Sequence, residues 1–118
     1  MTADNGVITS PGYPQNYANS LVCQYLITVG VNRKIVVDFK FLKTEQNFDR
    51  IEIYDGNNYG THLLGNFSGD SRPPPIISST NNLLIKFRTD RSDTRTGFEL
   101  QYHTVPAKSK INKTIMVN

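Results

Sequence analysis

Two short stretches of this chain crowd oxygen-bearing side chains: Glu45 with Asp49, and Asp90 with Ser92 and Asp93. Carboxylates packed this closely repel one another. A hard divalent cation relieves that repulsion while collecting its roughly six to eight oxygen ligands. The pattern is not an EF-hand, because taking Asp90 as the first ligand puts Arg95 where glycine is required and Gln101 where glutamate is required. An ion here would have to be held between two loops that the fold brings together. Catalytic chemistry is poorly served by comparison. A nucleophile needs a base, and the base a group that orients it. His62 falls in an expected loop and His103 on the outward face of the last expected strand. No nucleophile elbow, zinc-ligand spacing or phosphate loop is legible, so the residues give an enzyme reading little support.

The elements that must position these acids are strands. Apolar residues recur with a period of two, and helical periodicity is nearly absent. Cys23, Tyr25, Ile27 and Val29 form one row, and Ile35, Val37, Phe39 and Phe41 a second. Ile51 and Ile53 flank Glu52. Leu83, Ile85 and Phe87 alternate with Lys86 and Arg88, as Phe98, Leu100 and Tyr102 do with Glu99, Gln101 and His103. Each row predicts a strand with one buried face. Turn signals separate the rows at Gly30-Val31-Asn32, Asp55-Gly56-Asn57-Asn58, Ser68-Gly69-Asp70-Ser71 and Asn81-Asn82. Arg72-Pro73-Pro74-Pro75 predicts a stiff extended connector, since proline has no N–H to give a ladder. Seven or eight short strands at this spacing predict an all-β, antiparallel β-sandwich with jelly-roll or Greek-key connections.

The 118 residues suffice for one domain, expected over residues 1–105, followed by a basic linker or tail over 106–118. The net charge of +3 resides in that tail, in Lys108, Lys110 and Lys113; residues 1–105 carry ten basic and ten acidic side chains. A nucleic-acid surface needs a contiguous basic face, and the local alternation of signs speaks against one. No run of 18 apolar residues is present to cross a membrane as a helix. Two N-glycosylation sequons, at Asn66 in an expected loop and at Asn112, agree with an extracellular setting. The single Cys23 packs as a small hydrophobe in the plainest reading.

Four blocks in order resemble a CUB domain: Ile8-Thr9-Ser10-Pro11-Gly12-Tyr13-Pro14-Gln15-Asn16-Tyr17, Cys23-Gln24-Tyr25-Leu26-Ile27, Phe48 through Gly56, and Phe87 through Tyr102. The resemblance runs from about Gly6 to about Tyr102 and implies the jelly-roll order, with the chain excised from a longer extracellular or membrane-anchored protein. It also implies a bridge from Cys23 to a cysteine upstream of the first residue here. The family's second cysteine pair is absent, with Leu64 standing where one member would be. For the calcium-binding type, the resemblance assigns Glu45, Asp49, Asp90, Ser92 and Asp93 to a Ca2+ site, with Tyr17 behind them orienting Glu45. The stretch from Glu45 to Asp49 is shorter than the family's usual spacing, which would draw Glu45 off the ion if the loop could not reach.

In the family the ion orders the loops, and the remaining acidic oxygens capture a lysine or arginine of a protein partner. Applied here, the resemblance implies such a contact through Tyr17, Glu45 and Asp90. Two other functions fit a sandwich of this kind. One is lectin-like sugar binding, for which Tyr17 and Tyr59 would be the aromatic platforms. The other is a calcium-free assembly role, homo-oligomerisation included, through the outward strand faces.

Overall fold

The computed structural model describes residues 2–107. The basic tail from Lys108 onward, and with it the Asn112 sequon, lies outside the described residues. Eight strands form in order: β1 (Asn5–Thr9), β2 (Val22–Thr28), β3 (Arg33–Lys43), β4 (Arg50–Asp55), β5 (His62–Phe67), β6 (Ile76–Ile77), β7 (Asn82–Arg88) and β8 (Gly97–Pro106). They make two four-stranded antiparallel sheets, ordered β1-β8-β3-β6 and β2-β7-β4-β5. Among these strands only β4 and β5 are consecutive neighbours in one sheet; every other connection crosses to the opposite sheet. This is the jelly-roll order.

The alternating rows meet between the sheets. Ile27, Ile35, Val37, Ile51, Ile53, Leu83, Ile85, Phe87, Phe98 and Leu100 are sealed from solvent. Phe98 sits among the rings of Tyr25, Phe39 and Phe87, with centroids 6.3, 6.3 and 5.2 Å away in tilted or edge-on contacts. Leu64 is partly buried and packs against this core.

Three expectations are corrected. The second apolar row does not run through Phe41: a register shift between Phe39 and Phe41 turns Leu42 into the core instead. Phe41 then packs beside Tyr13, centroids 5.7 Å apart. His62 and Asn66 lie in strand β5 rather than in loops, because pairing with β4 runs from Ile51↔Phe67 to Asp55↔His62 and takes in both residues. Both remain exposed.

The crossing pattern decides where function can sit. β1 and β3 both run antiparallel to β8, so the β1–β2, β3–β4 and β7–β8 loops emerge at one end of the sandwich. The turn from Asp55 to Thr61 lies at the other end. Because Phe98 joins the two sheets at the centre of this core, Phe98→Ala is expected to cost about 3–5 kcal/mol by chemical denaturation. A loss below about 1 kcal/mol would contradict this packing.

Candidate metal centre

Asp49 is fully buried, although it is charged and its loop is short. A buried carboxylate must find donors, and Asp49 finds them on the two neighbouring loops. Its Oδ2 accepts from the Tyr17 hydroxyl at 2.5 Å, and its Oδ1 accepts from the Asp90 amide at 2.8 Å. Tyr17 is itself buried, 2% exposed, with its ring edge-on to Phe87 at 5.1 Å. Burial and the bond to Asp49 push its phenol well above the ordinary range, so it stays protonated and donating. The same oxygen accepts from the Glu45 amide at 3.1 Å.

Glu45 completes the cluster. One oxygen from each of Glu45, Asp49 and Asp90 lies within 4.8 Å of the others. The shortened loop therefore does bring Glu45 to the group. A tight turn does the work, with the Phe48 and Asp49 amides both donating to the Glu45 carbonyl at 3.2 and 3.1 Å. Burial pushes the Glu45 carboxyl up to about 7, reinforced by Asp90, Asp93 and Asp49 around it. Its Oε1 is buried and has no hydrogen-bond partner. Hydrogen-bond donors are missing where several acidic oxygens converge, and a hard cation supplies what such a donor set needs.

Of the five residues expected to ligate, then, Glu45, Asp49 and Asp90 stand together. Asp93 lies against Glu45 from the exposed rim, in a left-handed backbone conformation at φ 61° that aspartate tolerates. Ser92 is exposed, and its amide donates to Asp90 Oδ1 at 3.2 Å, shaping the loop. Tyr17 acts on Glu45 through the backbone amide rather than the carboxylate. Its burial also rules out direct contact with a partner in this arrangement.

Two supports were not anticipated. Thr44 Oγ1 donates to the Asp49 carbonyl at 3.2 Å and accepts from the Gly69 amide at 2.9 Å. Thr89 Oγ1 accepts from the Leu21 amide at 2.7 Å and donates to the Ala18 carbonyl at 3.0 Å. Neither has a sequence signal beyond a threonine at a strand end. Each exists because two distant loops meet.

Two outcomes are expected. Tyr17→Phe keeps the ring but strands Asp49 Oδ2 and the Glu45 amide. It should cost about 1–3 kcal/mol of stability and weaken calcium binding about 10–100-fold by calorimetry; unchanged affinity would refute the supporting role. The second concerns pH. The Glu45 carboxyl is raised in the folded, ion-free protein, so its neutral form contributes stability below about 4.5 that is lost as pH rises through about 7. Thermal melts in chelator should fall across that window, and Glu45→Gln should flatten the fall. Calcium affinity should rise with pH over the same window, because uptake needs the carboxylate.

Comparison with known proteins meets this geometry. The CUB domain family model matches residues 1–102. Human cubilin is 44% identical over 102 residues, which cover 82% of this chain and 3% of that protein. Human neuropilin-2 is 41% identical over 104 residues, covering 84% of this chain and 11% of that protein. The chain thus spans a small fraction of the length of these relatives. Among solved structures, the MASP-1 CUB2 domain bound to Ca2+ superposes with a TM-score of 0.80 at 30% identity. That match covers 87% of this chain and 95% of the other. The full extracellular region of zebrafish Gpr126/Adgrg6 matches with a TM-score of 0.79 at 25% identity, over 90% of this chain and 14% of the other. With its jelly-roll order, its opening proline block and its end-on acidic cluster, the chain belongs to the CUB domain family.

Proposed function

We propose that this chain is an extracellular, calcium-ordered protein-binding module that captures a lysine or arginine side chain of its partner. The observation that carries the reading is the buried, unpartnered Glu45 Oε1 beside Asp49 and Asp90. A Ca2+-bound CUB domain among the structural neighbours supports the same ion. Glu45, Asp49 and Asp90 would hold the ion, which supplies positive charge and fixes the three loops. Asp93, and the part of Asp90 that stays accessible, present carboxylate oxygen outward. A preorganised anionic rim makes charge-assisted hydrogen bonds to an ammonium or guanidinium with little ordering cost. Ligation by Ser92 and Asp93 belongs to this proposal, as does the single-domain division at residues 105 and 106. Asn66, exposed on the edge strand, remains the glycosylation candidate within the described residues.

The arrangement offers little to a sugar. Tyr17 is buried, and Tyr59 lies in the turn at the opposite end, edge-on to Tyr54 at 5.2 Å with Lys86 Nζ over its ring at 4.8 Å. Neither ring stands exposed beside the acids.

The test uses an immobilised lysine-rich peptide and a calcium titration. Calorimetry should detect one calcium site in the wild type and none in Asp90→Ala. Peptide capture should require calcium, vanish in chelator and weaken with salt. Calcium binding without capture would overturn the lysine and arginine reading. No calcium binding at all would return the chain to the assembly role.

A further inference from the structure

A second charged feature lies beside the calcium end. Strand β3 pairs with β6 only at Val36 and Val37. Its next tie on that side is the Thr44 amide, which donates to the Gly69 carbonyl at 2.9 Å. Between these points the free edge of β3 and the connector from Asp70 to Pro75 bound a groove of about 380 Å³, lined by Lys40, Phe41, Leu42, Lys43, Asp70 and Arg72. A second hollow of about 170 Å³ adjoins it through Lys43 and Asp70 and reaches Arg95. Four cations and one acid therefore line a continuous concavity. Lys40 is paired with Asp38 at 2.8 Å. Among the described residues, Lys43, Arg72 and Arg95 form no ion pair with any carboxylate.

A free strand edge would ordinarily invite an extended peptide. This edge is closed to one. The register shift at Phe39/Phe41 bends it, the three prolines opposite offer no N–H, and Arg72 Nη1 already donates to the Lys40 carbonyl at 3.2 Å. Lysine, bulge and proline are the devices by which natural edges avoid backbone pairing. What remains available is side-chain charge. Recognition by charge alone suits a linear polyanion whose acidic groups recur along a flexible chain, with the guanidinium groups forking onto oxyanions.

We infer that this groove binds an extracellular sulfated polysaccharide through Lys40, Lys43, Arg72 and Arg95. The polysaccharide is a ligand separate from the partner proposed for the calcium site, and its binding does not depend on that reading. The probe is a heparin octasaccharide titrated into the full chain by calorimetry, in chelator so that the calcium site plays no part. The wild type should bind, and binding should weaken steeply as salt is raised. The surface variant Lys43→Ser/Arg72→Ser/Arg95→Ser should lose about tenfold or more in affinity, while its melt stays that of the wild type. Replacing Lys108, Lys110 and Lys113 with serine should leave the affinity in place. Binding that follows the tail and not the groove would overturn the inference. So would no binding, equal binding of desulfated heparin, or tighter binding of a poly-glutamate peptide of matched charge, the last assigning the groove to an acidic protein.

Discussion

One buried carboxylate holds the functional end together. Asp49 accepts from Tyr17 on the β1–β2 loop and from the Asp90 amide on the β7–β8 loop, while itself belonging to the β3–β4 loop. Three segments far apart in sequence are thereby tied through a single side chain. The backbone follows the same convergence: the Tyr17 amide donates to the Arg95 carbonyl at 3.1 Å and the Ser20 amide to the Asp90 carbonyl at 2.7 Å. Burying a charge this completely is tolerated only with such donors around it.

The same arrangement creates a deficit. Tyr17 and the Asp90 amide satisfy Asp49, but Glu45 is pressed into the group with one oxygen unpartnered. Burial and the neighbouring acids raise the Glu45 carboxyl, so without an ion a proton stays on it to higher pH than on an ordinary glutamate. A bound cation would offer charge to all three carboxylates at once. The acidic cluster is thus part of the fold's electrostatics, and any ion that bound only the folded chain would stabilise it by mass action. The core beneath it packs Phe87 edge-on against the Tyr17 ring and against Phe98.

Charge in this domain is balanced in number and separated in space. Ten basic and ten acidic residues over 1–105 cancel along the chain. In the folded molecule Glu45, Asp49, Asp90 and Asp93 gather at the loop end, while Lys40, Lys43, Arg72 and Arg95 line an adjoining groove. A net charge near zero therefore conceals two local clusters of opposite sign.

The sequence by itself determined the architecture and the identity of the acids. Period-two rows such as Leu83, Ile85, Phe87 and Phe98, Leu100, Tyr102 specify which face each strand buries, because side chains alternate strictly across a pleat. Ordered blocks such as Ile8–Tyr17 pointed to the family, and through it to Glu45, Asp49 and Asp90. Tertiary structure decided what local pattern cannot encode. The bulge that exchanges Phe41 for Leu42 depends on pairing with β8. The extension of β5 over His62 and Asn66 depends on pairing with β4. Tyr17 reaches Glu45 through its amide, and Thr44 and Thr89 brace the loops, only because crossing connections bring residues distant in the chain to one end. Periodicity reports burial one element at a time, whereas a site between loops is a property of their mutual approach.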